Sequence, residues 1–172
     1  MTASASGLDP HISVANAELQ LPRVARERQP VHARAGLTLL PDHGFSDTPP
    51  AHVLIVPGGV VDGAMRCAET LRWVAQASER AQLTASVCTG AFLLAASGWL
   101  DGRRVVTHWT RCEQLAQQHP KLQVEANPIF INDGPVWTSA GVTAGIDLAL
   151  AMVEEDLGRD IALDVARHLV VF

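Results

Sequence analysis

A chain of 172 residues with 48% hydrophobic and 18% charged side chains can bury a sizeable core, and a formal net charge of −5 without a basic cluster excludes unaided nucleic-acid binding. Three irregularly spaced cysteines do not form a disulfide framework, so a reducing, cytoplasmic setting is expected. The opening MTASASGLDP lacks the basic and apolar regions of a signal peptide, and no run approaches the roughly 20 apolar residues of a membrane span, so neither export nor a membrane partner is expected.

The residues divide into a flexible N-terminus over 1–10 and one domain over 11–172, without internal repeats or an interdomain linker. His11 to Leu19 reads as a first strand, Leu21 to Pro30 as a proline-bounded loop or edge, and Val31 to Leu40, with Gly36 at its middle, as an extended pair or a bent arm. Pro41 to Pro50 is turn-rich. Val53 to Val56 is a continuous apolar run, expected as a strand buried on both faces of a parallel sheet and ended by Pro57-Gly58-Gly59. Ala64 to Ala81 places Cys67, Leu71, Val74 and Ser78 at helical spacing, which predicts an amphipathic helix with Cys67 in the core.

Leu83 to Val87 is a second buried strand, and Ala91 to Ala96 is the start of a buried helix, with Cys88-Thr89-Gly90 at the corner between them. Asp101-Gly102 is a turn, Val105 to His108 a strand, and Thr110 to Gln118 a short helix with Cys112 as packing. Val124 and Ile129 to Ile131 flank a small strand pair with a turn at Asn132-Asp133-Gly134, and Val136 to Ser139 is a further strand. Thr143 is placed to cap a helix from Ala144 to Leu157, Gly158 ends it, and Asp160 is placed to cap a last helix from Ile161 to Val171. Buried strands alternating with helices predict an α/β sandwich, in which ligands collect outside the carboxyl ends of the strands. Gly58, Gly59, Cys88 and His108 all fall there.

Cys88 is the candidate nucleophile, because a thiol at a strand–helix corner lies beside unpaired helix N-terminal amides that favour its ionised form. The plain alternative is a core cysteine, as small apolar packing. Gly90 favours the first reading, since a residue without Cβ admits a close neighbour. A nucleophilic thiol needs a base or cation nearby and donors aimed at the charge formed on attack. His108 is the candidate for the former, against its alternative as a satisfied core histidine; the backbone N–H groups of Gly59 and Thr89 are candidates for the latter. The Pro-Gly-Gly turn serves a tight strand exit equally well. A zinc site from Cys88, His108, Cys112 and His119 lacks paired short-spaced ligands, and no phosphate loop or dinucleotide fingerprint is present, so no metal or cofactor is expected.

From about Ala51 onward the chain resembles the ThiJ/PfpI superfamily of the class I glutamine amidotransferase-like fold. The resemblance lies in HVLIVPGG, SVCTGAFLLAASGWLDGRRVVTHW and VWTSAGVTAGIDLALAMVEEDLGRDIALDVARHLVVF. These segments look most like the amidotransferase-like domain of GlxA-type AraC regulators, with isonitrile hydratases as the nearest enzymes. The resemblance implies a flavodoxin-like three-layer sandwich with a nucleophile elbow at Cys88, His108 near it, an oxyanion or ligand site from Gly58, Gly59, Thr89 and Gly90, and a homodimer. It implies a small-molecule-sensing role; the alternatives are a cysteine-dependent isonitrile hydratase or amidase-like hydrolase, and a cysteine-based oxidative-stress sensor. The family's first strand–helix unit, which carries an acidic residue against the cysteine, has no counterpart in this sequence, so exposed apolar sheet edges are expected. Regulators of this kind also continue past a segment like ARHLVVF into a helix-turn-helix domain, and Phe172 is the last residue here.

Overall fold

The computed structural model describes residues 21–33 and 36–171, so the strand expected at His11–Leu19 lies outside the described residues. The chain divides into two compact units, Met1–His32 with Gly36–Thr48, and Ala33–Ala35 with Pro49–Phe172.

In the first unit, β1 (Val31–His32) pairs antiparallel with β2 (Thr38–Leu39), the extended pair of the two arrangements expected from the sequence. Gly36 in their connection has φ +81°, a conformation that favours glycine. Arg23 clasps Asp42 through Nε to Oδ2 at 3.0 Å and Nη2 to Oδ1 at 3.0 Å, while the Arg23 amide donates to Oδ2 at 2.8 Å. Those hydrogen bonds hold the Asp42 carboxyl far below the usual carboxylate range.

The second unit is built on a sheet of order β3 (Val53–Val56), β4 (Leu83–Val87), β8 (Val136–Ser139) and β7 (Phe130–Asp133). The first three run parallel and β7 is antiparallel to β8, with Ala85 opposite Ile55 and Trp137. A separate parallel pair joins β5 (Arg104–Val105) to β6 (Gln123–Val124). Helices α1 (Asp62–Met65), α2 (Ala68–Arg80), α3 (Gly90–Ala96) and α4 (Cys112–Gln118) come before β6; α5 (Ala144–Leu157) and α6 (Arg159–Leu169) end the chain.

Strand alternation divides the apolar residues into two cores. Val56 and Val136 pack with Val74 of α2, Phe92 and Leu94 of α3, and Leu115 of α4; on the opposite face Ala85 and Trp137 pack with Leu148 of α5. The fold is therefore mixed α/β around a mostly parallel sheet. The strand at Val53–Val56 is not buried on both faces: Val53 and Ile55 remain 38% and 46% exposed. Both lie on the α5 side of the sheet, where α5 packs over β4 and β8.

Several element boundaries differ from the sequence reading. The helix over Ala64 to Ala81 is two helices, because Cys67 takes an extended backbone, with φ −92° and ψ 104°, after a four-residue α1 that contains the poor helix former Gly63. The strand over Val105 to His108 stops at Val105, since the Val106 amide donates to Thr138 Oγ1 at 2.9 Å instead of to a strand. A 3₁₀ turn at Trp109–Arg111 then precedes α4. Val124 pairs with Val105 in β6, and the β7–β8 turn comes at Gly134-Pro135, one residue beyond the expected turn centre. Thr143 occupies the N-cap of α5 without a side-chain bond, because the Gly145 amide is already bonded to the Gly141 carbonyl. Gly158, at φ +91°, separates α5 from α6 and is itself the N-cap of α6, so Asp160 lies inside the first turn.

Candidate active site

The strand–turn–helix corner has the geometry expected of a presented side chain. Cys88 has φ +54°, one of two non-glycine residues with positive φ among the described residues, and such backbone strain persists only where neighbours enforce it. Its amide donates to the Ser139 carbonyl at 3.0 Å, and its carbonyl accepts from the fully buried Thr107 Oγ1 at 2.8 Å. The Cys88 peptide is thus held from both sides.

Two glycines make the corner sterically possible. A Cβ on Gly58 would stand 2.8 Å from Cys88 Cβ and 2.9 Å from the Val87 carbonyl oxygen, so only bare backbone fits beside the thiol-bearing residue. A Cβ on Gly90 would collide with the Val56 carbonyl and stand 2.9 Å from that of Pro57, so Gly90 lets the start of α3 lie against the end of β3. Thr89 completes the join: its hydroxyl accepts from the Gly59 amide at 2.8 Å and donates to the Gly59 carbonyl at 2.9 Å. The Gly59 N–H, a sequence candidate for an oxyanion donor, is consequently engaged by Thr89. α3 is seven residues long, so a helix dipole contributes little to the corner.

His108 follows Thr107 directly and is half-buried. Its Nδ1 accepts from the Thr110 amide at 3.3 Å and lies 2.8 Å from Thr110 Oγ1. An accepting Nδ1 puts the proton of the neutral ring on Nε2, so His108 is arranged to donate a proton from Nε2 rather than to accept one there. No hydrogen bond joins it to the Cys88 thiol among the described residues. The His108 ring stacks on Trp109, with centroids 5.9 Å apart and planes at 28°.

Gly58 therefore packs against Cys88 itself, Thr89 ties the corner to Gly59, Gly90 packs against Val56 and Pro57, and His108 is joined to the corner through Thr107. Sequence reading missed Thr107 and Ser139, because both look like ordinary strand residues; the signal available was a β-branched hydroxyl immediately before His108. The residues considered for zinc do not converge. Among the described residues no group of three or more His, Cys, Asp and Glu is arranged to hold a metal ion, and the buried Cys112 thiol faces the Thr107 and His108 carbonyls at 3.6 and 3.7 Å. Burial lowers the His119 pKa. No helix among the described residues is long and apolar enough to cross a membrane.

Isonitrile hydratase from Pseudomonas putida is 36% identical over 147 residues, which cover 84% of this chain and 63% of that protein. The HTH-type transcriptional regulator CdhR from Pseudomonas aeruginosa is 30% identical over 142 residues, covering 83% and 42%. The chain thus spans less than two thirds of either relative. The crystal structure of a ThiJ/PfpI family protein from Pseudomonas syringae superimposes with a TM-score of 0.70 at 37% identity, covering 77% of this chain and 55% of that one. The DJ-1/PfpI family pattern matches residues 7–155, and the chain belongs to that family.

Proposed function

We propose that this chain is a small-molecule-sensing domain of the kind found in AraC/GlxA-type regulators, with its ligand at Cys88. The observation that carries this reading is the Cys88 peptide at φ +54°, clamped by Ser139 and Thr107 and flanked by the exposed backbone of Gly58 and Gly59. A corner held this firmly presents one side chain in one place, at the carboxyl end of parallel strands where such sheets bind ligands. The arrangement is a nucleophile elbow in a flavodoxin-like three-layer sandwich, a reading supported by cores on both sheet faces. A ligand oxygen meets the Thr89 amide first and reaches the Gly59 amide by displacing Thr89 Oγ1. The domain signals as a homodimer in the cytoplasm; exposed Val53 and Ile55 on the β3 edge, and next to them in rank Ile161, Leu163 and Leu169 on α6, supply apolar surface for self-association.

The test is a thermal-shift screen of small carbonyl, amide and isonitrile compounds on the wild type and on Cys88→Ala. Stabilisation of the wild type that Cys88→Ala loses is the expected result. A uniformly flat screen, or equal shifts in both proteins, removes the reading's support.

The 36% identity to isonitrile hydratase favours a second reading, a cysteine-dependent hydratase or amidase-like hydrolase. In the hydratase form, Cys88 thiolate attacks the isonitrile carbon, which takes its proton from water, with His108 assisting the transfer. Water then adds to the thioimidate and releases an N-substituted formamide with the thiol restored. Turnover of a simple isonitrile that disappears in Cys88→Ala supports it; equal rates in both proteins dispose of it.

A further inference from the structure

Trp109 is 73% exposed, an unusual placement for a side chain of the largest type. Its turn is nevertheless well anchored. On one side Thr107 Oγ1 bonds the Cys88 carbonyl at 2.8 Å, and on the other the Arg111 guanidinium sits over the ring of Phe92, 5.8 Å from its centroid. Phe92 lies one helical turn beyond Cys88 and is only 2% exposed. Inside the turn, the Arg111 amide donates to the His108 carbonyl at 2.7 Å, and His108 Nδ1 is held by Thr110. Both anchors lead back to the Cys88 corner, and Trp109 lies between them in sequence. A rigid turn that leaves an indole in solvent, backed by a stacked imidazole, is a prepared aromatic surface.

We propose that Trp109 is the recognition wall of the Cys88 site, and that the ligand couples a flat aromatic or unsaturated apolar group, stacked on the indole, to a small electrophilic carbon offered to Cys88. The inference rests on Cys88 being the ligand site and adds the class of ligand. Open space around Gly59 leaves room for the reactive end, and the indole takes the apolar end. Aromatic contact of this kind is worth roughly a fivefold preference over a ligand without the ring.

Two alkylating probes test it, iodoacetamide and N-benzyl-2-iodoacetamide. With either, Cys88 thiolate displaces iodide from the methylene carbon and a thioether forms, so the two differ only in the aromatic group. Rates at Cys88 are read by peptide mass spectrometry, and the benzyl-to-plain ratio is divided by the same ratio for glutathione. The expected normalised ratio is about five in the wild type, close to that in Trp109→Phe, and near one in Trp109→Ala and Trp109→Leu. The buried Cys112 reports folding in the same digests, since it stays unmodified in any variant that folds. A wild-type ratio near one, or a ratio that Trp109→Ala leaves unchanged, overturns the Trp109 assignment while leaving Cys88 as the site. Failure of Cys88 to react with either probe overturns both.

Discussion

At the scale of single residues, the site depends on atoms that hold a backbone rather than on side chains that touch a substrate. Thr107 is the clearest case, since its hydroxyl satisfies the carbonyl of a strained Cys88. Thr107→Val keeps the shape and leaves that carbonyl unpaired, which costs about 1–3 kcal/mol. The expected outcome is a lower urea midpoint together with slower alkylation of Cys88, both recovered in Thr107→Ser; unchanged Cys88 reactivity in Thr107→Val would show that the clamp does not position the thiol. Gly90→Ala tests the other contact, because the added methyl meets the carbonyls of Val56 and Pro57. Overpacking against backbone costs about 1–3 kcal/mol, so chemical denaturation should show a clear loss, whereas Gly59→Ala, with open space around its Cβ, would be penalised only for its φ of +149°. The nucleophile candidate and its glycines were legible in the sequence because a thiol between a buried strand and a helix implies a corner. The clamp was not legible, because it depends on which strand lies beside which.

The elements follow the apolar pattern closely where burial dictates them and less closely where hydroxyls compete for backbone. β4, β8 and α5 occupy the ranges read from the sequence because each has a continuous apolar run or a clear face. The strand after the Asp101-Gly102 turn shortens because Thr138 takes the Val106 amide, a partner distant in sequence that periodicity alone does not reveal. In the first unit an extended pair around Gly36 was one of two arrangements legible in the sequence, but the Arg23–Asp42 clasp was not, since the two residues are separated by the whole strand pair. This clasp has a signed pH dependence. Asp42 has a folded pKa depressed below its unfolded value near 4, so its contribution is fully present above that pH and is lost as pH falls toward the folded value. The Arg23 Nε–H resonance should therefore stay constant from neutral pH down to about 4 and shift only in more acidic solution. Asp42→Asn should remove that transition; an unaltered transition in Asp42→Asn would assign it to another carboxyl.

At the scale of the whole molecule, the place of β3 at the edge of the described sheet accounts for an exposure pattern that local sequence obscures. Val53-Leu54-Ile55-Val56 has the composition of a strand enclosed on both faces, yet Val53 and Ile55 face solvent. Natural sheets protect apolar edges with charge. Ile55→Lys should therefore reduce self-association in sedimentation velocity without lowering the unfolding midpoint, and an unchanged sedimentation profile would place self-association elsewhere, with α6 the next surface to alter. The central claim is that the fold is organised to present the Cys88 thiol to a small molecule. Residue-resolved iodoacetamide kinetics on the native protein test it most directly, with Cys112 as the internal reference for a buried thiol. Presentation of Cys88 means modification at least about tenfold faster than Cys112, a ratio that collapses in denaturant as all thiols become equivalent. A native Cys88 that reacts no faster than Cys112 would mean that the corner encloses its thiol, and the small-molecule site would not be there.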